Sequence, residues 1–427
     1  MSSGDTADVN ATGRRVVLGV AGGIAAYKAC EVLRRLREAG CDVTVVPTAN
    51  ALNFVGRTTW EALSGKSVST DVWSEITEVP HVRIGQQADL VLVVPATADL
   101  LARAATGRAD DLLTNVLLTA HCPVAFFPAM HTEMWQHPAT VANVATLRSR
   151  GCVVKDPAAG RLTGADSGPG RLPEPAEITE LALRLLDGGR EAAGRAAAQD
   201  LAGRHVVVSA GGTHEALDPV RFLGNASSGL MGTAIAREAA LRGARVTLVA
   251  AAMTAEPPSG VEVEQVVSTA DLAAVMQRLA PQADAVVMAA APADFTPAEV
   301  STTKIKKDGD GGMTLHLVQT TDVLAAISRS RRPEQVIVGF AAETAPDRDQ
   351  LVQLGQAKLA RKGCDLLVLN DVSAGKVFGR ATTQITLIDP AGIVDEVTGT
   401  KSQAAASIVD ALAARLAGMS GRNGEPA

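Results

Sequence analysis

Residues 14–40 read RRVVLGVAGGIAAYKACEVLRRLREAG. Val16, Val17, Leu18 and Val20 make a continuous apolar run, which suits a strand buried on both faces of a parallel sheet. Gly22 and Gly23 form the turn after it. Residues 24–40 then predict a helix with Val32, Leu33 and Leu36 on one face, stopped by Gly40. CDVTVV at 41–46, DLVLVVPAT at 89–97 and PVAFFPAM at 123–130 are further strands, each of the last two ending in Pro, Ala or Thr where a ligand-side loop begins. This strand–helix alternation is the grammar of a doubly wound α/β domain.

The grammar starts again downstream. RHVVVSAGG at 204–212 repeats the strand and glycine pair, residues 230–249 repeat helix then strand, and QADAVVMAAAPADF at 282–295 echoes QADLVLVVPATADL at 87–100. Two tandem Rossmann-like domains are expected, with QVIVGFAAET at 335–344 and CDLLVLNDVS at 364–373 completing the second sheet. Residues 189–201, rich in Gly, Ala and charge, read as a linker with room for some helix between domains at 14–188 and 202–418; residues 1–13 and 419–427 read as disordered ends.

Composition agrees with two domains. The chain has 427 residues, 47% of them apolar and few aromatic, enough for two ordinary cores. A net charge of −6 without a basic stripe excludes a nucleic-acid binder and points to a small-molecule partner. The polar start carries no secretory signal, and no apolar run reaches membrane-spanning length. Five scattered cysteines lack the spacing of a zinc site or disulfide framework, so a reducing cytoplasm is expected.

A glycine turn followed by a helix offers unpaired N–H groups and a positive dipole end to a phosphate, although a glycine pair is equally a tight turn packed beneath a helix. Neither half has the spaced dinucleotide fingerprint. Neither second strand ends in Asp or Glu for a ribose hydroxyl, since VTVVPTA and VTLVAAA finish on small or hydroxyl residues. That disfavours the tandem NAD(P) oxidoreductase with which the grammar is otherwise compatible, and Thr48 makes a mononucleotide such as FMN the better guest. In the second half Asn225, Ser227 and Ser228 precede the helix, where capping is the plain reading. TTKIKKDGDGG at 302–312 gathers Lys304, Lys306 and Lys307, a solvated loop unless a polyphosphate lies beside it.

GVAGGIAAYK, PATADLLARAATGRADDLL, PAMHTEMW, DPVRFLGNASSG, APADF, KIKK and GFAAET occur in that order. Together they resemble the bacterial bifunctional phosphopantothenoylcysteine decarboxylase / phosphopantothenate-cysteine ligase family of coenzyme A biosynthesis, over about residues 14–415. The resemblance implies a flavodoxin-like FMN decarboxylase followed by a CTP-dependent ligase. The ligase converts 4'-phosphopantothenate to an acyl-cytidylate, releasing pyrophosphate, and the L-cysteine amine displaces CMP; the decarboxylase then yields 4'-phosphopantetheine.

The same resemblance assigns residues. Gly22, Gly23, Ile24, Thr48, Pro95, Thr97 and Met130 would contact FMN, with His81 the active-site histidine. Asn225 would handle the acyl-cytidylate and Lys304 bear on ligase catalysis. CTP would meet Asp294, Lys304, Lys306, Lys307, Thr321, Asp322, Val323, Leu324, Phe340, Lys358 and Lys362, and Asp294 would hold Mg2+. Flavin domains would assemble into a dodecamer carrying ligase dimers.

Four positions depart from the family pattern, among them Ala21, which stands where a serine is frequent. His131 stands where an asparagine holds the substrate carboxylate. In GRLTGADSGPGR at 160–171, Thr163 stands near the place of a cysteine that protonates the enethiolate, leaving Asp166 or a bound water as the acid. Leu230 replaces a common lysine. The first domain is therefore open to two readings, a decarboxylase or a flavin-binding regulatory domain beside an active ligase.

Overall fold

The computed structural model describes residues 13–70, 80–161, 167–258, 260–306, 313–371 and 382–422, and the chain divides into two compact units, Met1–Ala198 and Gln199–Ala427.

The first unit has a five-stranded parallel sheet of β1 (Arg15–Val20), β2 (Asp42–Pro47), β3 (Leu90–Ala96), β4 (Val124–Pro128) and β5 (Val153–Val154). Its order, β2-β1-β3-β4-β5, reverses direction between β1 and β3, the flavodoxin-like arrangement. All seven residues of β3 are buried, as its unbroken apolar run requires. Helices α1 (Ala26–Glu38), α2 (Arg57–Ser64), α3 (Pro80–Gln87), α4 (Ala98–Thr106), α5 (Leu112–Thr119), α6 (Thr132–Gln136), α7 (Pro138–Ser149) and α8 (Pro175–Ala198) accompany it, with a hairpin of β6 (Ala158–Arg161) and β7 (Ser167–Arg171). Val32, Leu33 and Leu36 form the buried stripe of α1.

The second unit contains a larger sheet in the order β12-β11-β8-β13-β16-β17-β18-β19. Its parallel part is β8 (His205–Ala210), β11 (Arg245–Ala250), β12 (Glu262–Gln265), β13 (Ala285–Met288), β16 (Val336–Glu343) and β17 (Leu366–Asp371). In chain order these six strands run 3-2-1-4-5-6, the Rossmann arrangement. Helices α9 (Leu230–Leu241) and α13 (Lys401–Arg422) cover one face; α10 (Thr269–Leu279), α11 (Val323–Ser330) and α12 (Arg348–Lys362) cover the other. Two small hairpins, β9 (His214–Asp218) with β10 (Arg221–Gly224) and β14 (Phe295–Pro297) with β15 (Leu317–Gln319), stand outside the main sheet.

Three expectations need correction. Residues 364–373 do not complete the second sheet: β18 (Thr382–Asp389) and β19 (Gly392–Thr400) extend it antiparallel, their polar edge having hidden them. The stretch 189–201 is helical in part, as its composition allows, but it does not serve as a linker: α8 continues through Ala198 beyond a kink at Gly189 and buries Ala192, Ala193, Ala196 and Ala197, one helical face. Residues 419–422 belong to α13 rather than a disordered tail. The remaining expected disordered residues, 1–12 and 423–427, lie outside the described residues.

Candidate functional site

The second unit contains a cavity of about 650 Å³ at the C-terminal ends of β13, β16 and β17, where an open α/β sheet places its ligands. One wall is the start of α9. Gly229 caps that helix at φ +74°, and a Cβ there would sit 2.6 Å from the Met253 Cβ. No side chain caps α9 and no acid occupies its first turn, so its leading N–H groups and positive end are open to a bound anion. The capping reading of Asn225, Ser227 and Ser228 therefore does not hold. Asn225 instead donates its side-chain amide to the Pro292 carbonyl at 2.9 Å, tying two loops of the cavity wall together.

Thr321, Asp322, Val323 and Leu324 open α11 on the opposite wall, with Val323 and Leu324 buried in the core. Asp322 accepts the Ala325 N–H at 3.1 Å as the helix N-cap and pairs with Lys362. Burial pushes its carboxyl pKa up, but Lys362 and the Ala325 N–H outweigh that and hold it below the ordinary value. One turn back, Lys358 pairs with Glu343 at 2.8 Å. Both lysines are largely covered, because α12 lies close on the sheet: a Cβ at Gly355 would approach Leu369 Cδ1 to 2.5 Å. Phe340 lines the cavity from β16, half-buried against the core.

Asp294 lies exposed at the rim, its carbonyl accepting the Thr320 N–H at 3.0 Å. Among the described residues no cluster of three or more His, Cys, Asp or Glu suits a metal ion.

Nine expected positions, Asn225, Asp294, Thr321, Asp322, Val323, Leu324, Phe340, Lys358 and Lys362, line this one cavity. Lys304 and Lys306 do not. Both are exposed on a segment pinned at Ile305, whose N–H donates to Asp218 Oδ2 at 3.1 Å and whose carbonyl accepts from Arg221. Lys307 lies outside the described residues. Asn370, Thr383 and Lys401 also line the cavity, and the sequence reading missed all three. Lys401 carried a usable signal: it begins α13, where the helix dipole disfavours a cation.

In the first unit, Gly22 and Gly23 bring the β1–α1 turn against the neighbouring strand ends. A Cβ on Gly22 would meet Asn50 Cβ at 2.5 Å, whereas one on Gly23 would find only Thr97 and Pro95 at 3.8 and 3.9 Å. The Ala21 N–H donates to the Pro95 carbonyl at 3.1 Å, and Thr48 and Thr97 cap the following helical turns. Thr48 Oγ1 accepts from Ala51, leaving its hydroxyl proton to donate. Helix α1 has no side-chain cap and no acid in its first turn, so the turn fits the phosphate of a flavin mononucleotide. Ile24 is exposed beside it.

Met130 joins this group through the preceding residue, as the Ala129 N–H donates to the Ala96 carbonyl at 3.2 Å; its own N–H reaches the Gly170 carbonyl at 3.0 Å. His81 stands on α3, with its carbonyl accepting from Thr119 of α5 at 2.9 Å and a buried Nδ1 that has no partner among the described residues. His131 is exposed at the start of α6, 3.8 Å from Glu133. Among the described residues, no hydrogen bond of either histidine reaches the Gly22–Thr97 cluster. Asp166 and Thr163 lie outside the described residues.

Residues 5–187 match the flavoprotein family model, and residues 201–416 match the DNA/pantothenate metabolism flavoprotein C-terminal domain. A coenzyme A biosynthesis bifunctional protein of Mycobacterium tuberculosis is 56% identical over 414 residues, covering 95% of this chain and 98% of that protein. One from Bacillus subtilis is 41% identical over 378 residues, covering 88% and 90%. The crystal structure of the C-terminal domain of such a protein is 29% identical, covers 51% of this chain and 98% of its own, and has a TM-score of 0.42. With such identity over nearly its whole length, the chain belongs to the family of coenzyme A biosynthesis bifunctional proteins.

Proposed function

We propose that the second unit joins 4'-phosphopantothenate to L-cysteine at the expense of CTP, and that the first decarboxylates the product with FMN to 4'-phosphopantetheine. The observation that carries the ligase reading is the single cavity in which an open helix N-terminus faces Lys358, Lys362 and Asp294. A carboxylate oxygen attacks the α-phosphorus there, pyrophosphate leaves, and cationic groups offset the growing negative charge. Lys304 and Lys306 reach the nucleotide from the segment anchored on Asp218, and Lys307 supports the phosphate contacts. Asn225 orients the acyl-cytidylate, and Asp294 holds Mg2+ against the phosphates.

In the first unit the α1 N-terminus and Thr48 hold the FMN phosphate, with Gly22, Gly23, Ile24, Pro95, Thr97 and Met130 around the cofactor. FMN supplies a two-electron acceptor and donor for the cysteinyl sulfur. The unpartnered Nδ1 of His81 is suited to accept a proton from the substrate thiol. His131 offers a hydrogen bond to the substrate carboxylate, and Asp166 supplies the later proton. The chain works in the cytoplasm as a homo-oligomer, a dodecamer through its first unit with ligase dimers. Exposed Ile24 and Tyr27 beside the flavin turn support association there, and among the described residues no helix is long and apolar enough to cross a membrane.

Incubation with 4'-phosphopantothenate, cysteine, Mg2+ and either CTP or ATP tests both halves. The expected result is CMP formation with CTP and carbon dioxide release in step with it. Amide formation without carbon dioxide would reduce the first unit to a flavin-binding domain.

A further inference from the structure

One corner of the ligase cavity contains polar groups that no described residue satisfies. Asn370 Oδ1 and Thr383 Oγ1 are buried without a hydrogen-bond partner among the described residues, and Thr383 is only 6% exposed. A buried polar group left unpaired is costly, because it has given up its hydrogen bonds to water. Strand pairing sets them side by side: Asn370 of β17 lies opposite Ile385 of β18, two residues along the same face from Thr383, and Thr383 lies opposite Gly399, two residues before Lys401. Lys401 is half-buried and lines the same cavity.

The three lysines of the cavity are not equivalent. Lys358 and Lys362 are neutralised by Glu343 and Asp322. Lys401 has no carboxylate partner among the described residues, and burial lowers its pKa, so an anionic guest would relieve it. A phosphate suits this corner poorly, because all its oxygens accept and the unpartnered Asn370 oxygen also accepts. A molecule with one carboxylate and one amine matches all three groups.

Resting on the ligase reading above, we propose that Asn370, Thr383 and Lys401 form the subsite for the amino-acid co-substrate. The Lys401 ammonium holds the α-carboxylate of cysteine, and the Asn370 and Thr383 oxygens accept hydrogen bonds from its amine. The nitrogen lone pair is thereby aimed at the activated acyl carbon. The C–N bond forms as the acyl C–O bond to the nucleotide phosphate breaks; CMP leaves with that oxygen. The amine gives one proton to solvent before attack and one after it.

The test compares cysteine with cysteamine, which lacks the carboxylate, as acceptor for the full-length enzyme with 4'-phosphopantothenate and CTP. Lys401→Met is expected to raise the KM for cysteine at least tenfold and to lower the ratio of kcat/KM for cysteine over cysteamine by a similar factor, with the KM for CTP within twofold. Thr383→Val is expected to raise the KM for both acceptors, because both present an amine. An unchanged cysteine-to-cysteamine ratio in Lys401→Met, or an increase confined to the KM for CTP, would overturn the assignment. Because the ratio is internal to each variant, partial unfolding does not imitate the expected result. Failure of the wild-type enzyme to form CMP would instead overturn the ligase reading.

Discussion

The Lys362 ammonium lies against the carboxylate of Asp322 while that carboxylate also caps α11 through the Ala325 N–H. One acid thus fixes a pocket lysine and a helix start together. Asp322→Ala should cost about 1 kcal/mol of stability through the lost cap and free Lys362, raising the KM for CTP. Because the folded carboxyl pKa is depressed, the contribution is present above the ordinary carboxylate value and lost as pH falls through the folded one. Denaturant titrations of wild type and Asp322→Asn should differ at neutral pH and converge in acid.

Asp218 anchors the segment bearing Lys304 and Lys306. Its carboxylate accepts the N–H groups of Val220, Arg221 and Ile305 at 2.9, 2.8 and 3.1 Å. Asp218→Ala releases Ile305 and should lower the ligase kcat several-fold, with a smaller change in the KM for CTP, since Lys358 and Lys362 remain. Steady-state kinetics against CTP separates the two parameters.

Gly23 tests the flavin turn without disturbing the protein's own packing. An added methyl meets only ordinary contacts at 3.8 and 3.9 Å, so Gly23→Ala should fold normally. Its yellow colour should nevertheless weaken, because the methyl enters the space where backbone approaches the phosphate. Far-UV circular dichroism and visible flavin absorbance, measured on one sample, distinguish folding from cofactor loss.

The cysteines should be inert. All five are free, and burial raises every thiol pKa, to about 11 for Cys122 and Cys364. Iodoacetamide at pH 7 should modify none of them rapidly in the native protein and all five after denaturation. Carbon dioxide release should survive the treatment. Since the folded thiols hold their protons more tightly, their contribution to stability is present at neutral pH and lost as pH rises from about 9 towards 11.

The buried parallel strands were legible in sequence because two covered faces demand unbroken apolar runs, as in residues 90–96. The antiparallel pair β18–β19 was not: residues 392–400 are largely exposed and polar, so no burial pattern marks them. Residues 192–197 read as linker because alanine gives little contrast, yet their apolar face is buried. In the ligase cavity, Lys358 and Lys362 share a helical face that spacing reveals, but only the fold shows that face turned inward. Asn370, Thr383 and Lys401 come from separate elements joined by strand register, which no local pattern records.

The central claim is that the cavity of the second unit forms a mixed anhydride between a carboxylate and a cytidine monophosphate. The most direct measurement uses 4'-phosphopantothenate labelled with oxygen-18 in its carboxylate, followed by mass spectrometry of the nucleotide after one turnover with CTP and cysteine. The predicted result is one labelled oxygen transferred to CMP. Label appearing in pyrophosphate or inorganic phosphate, with unlabelled CMP, would contradict it.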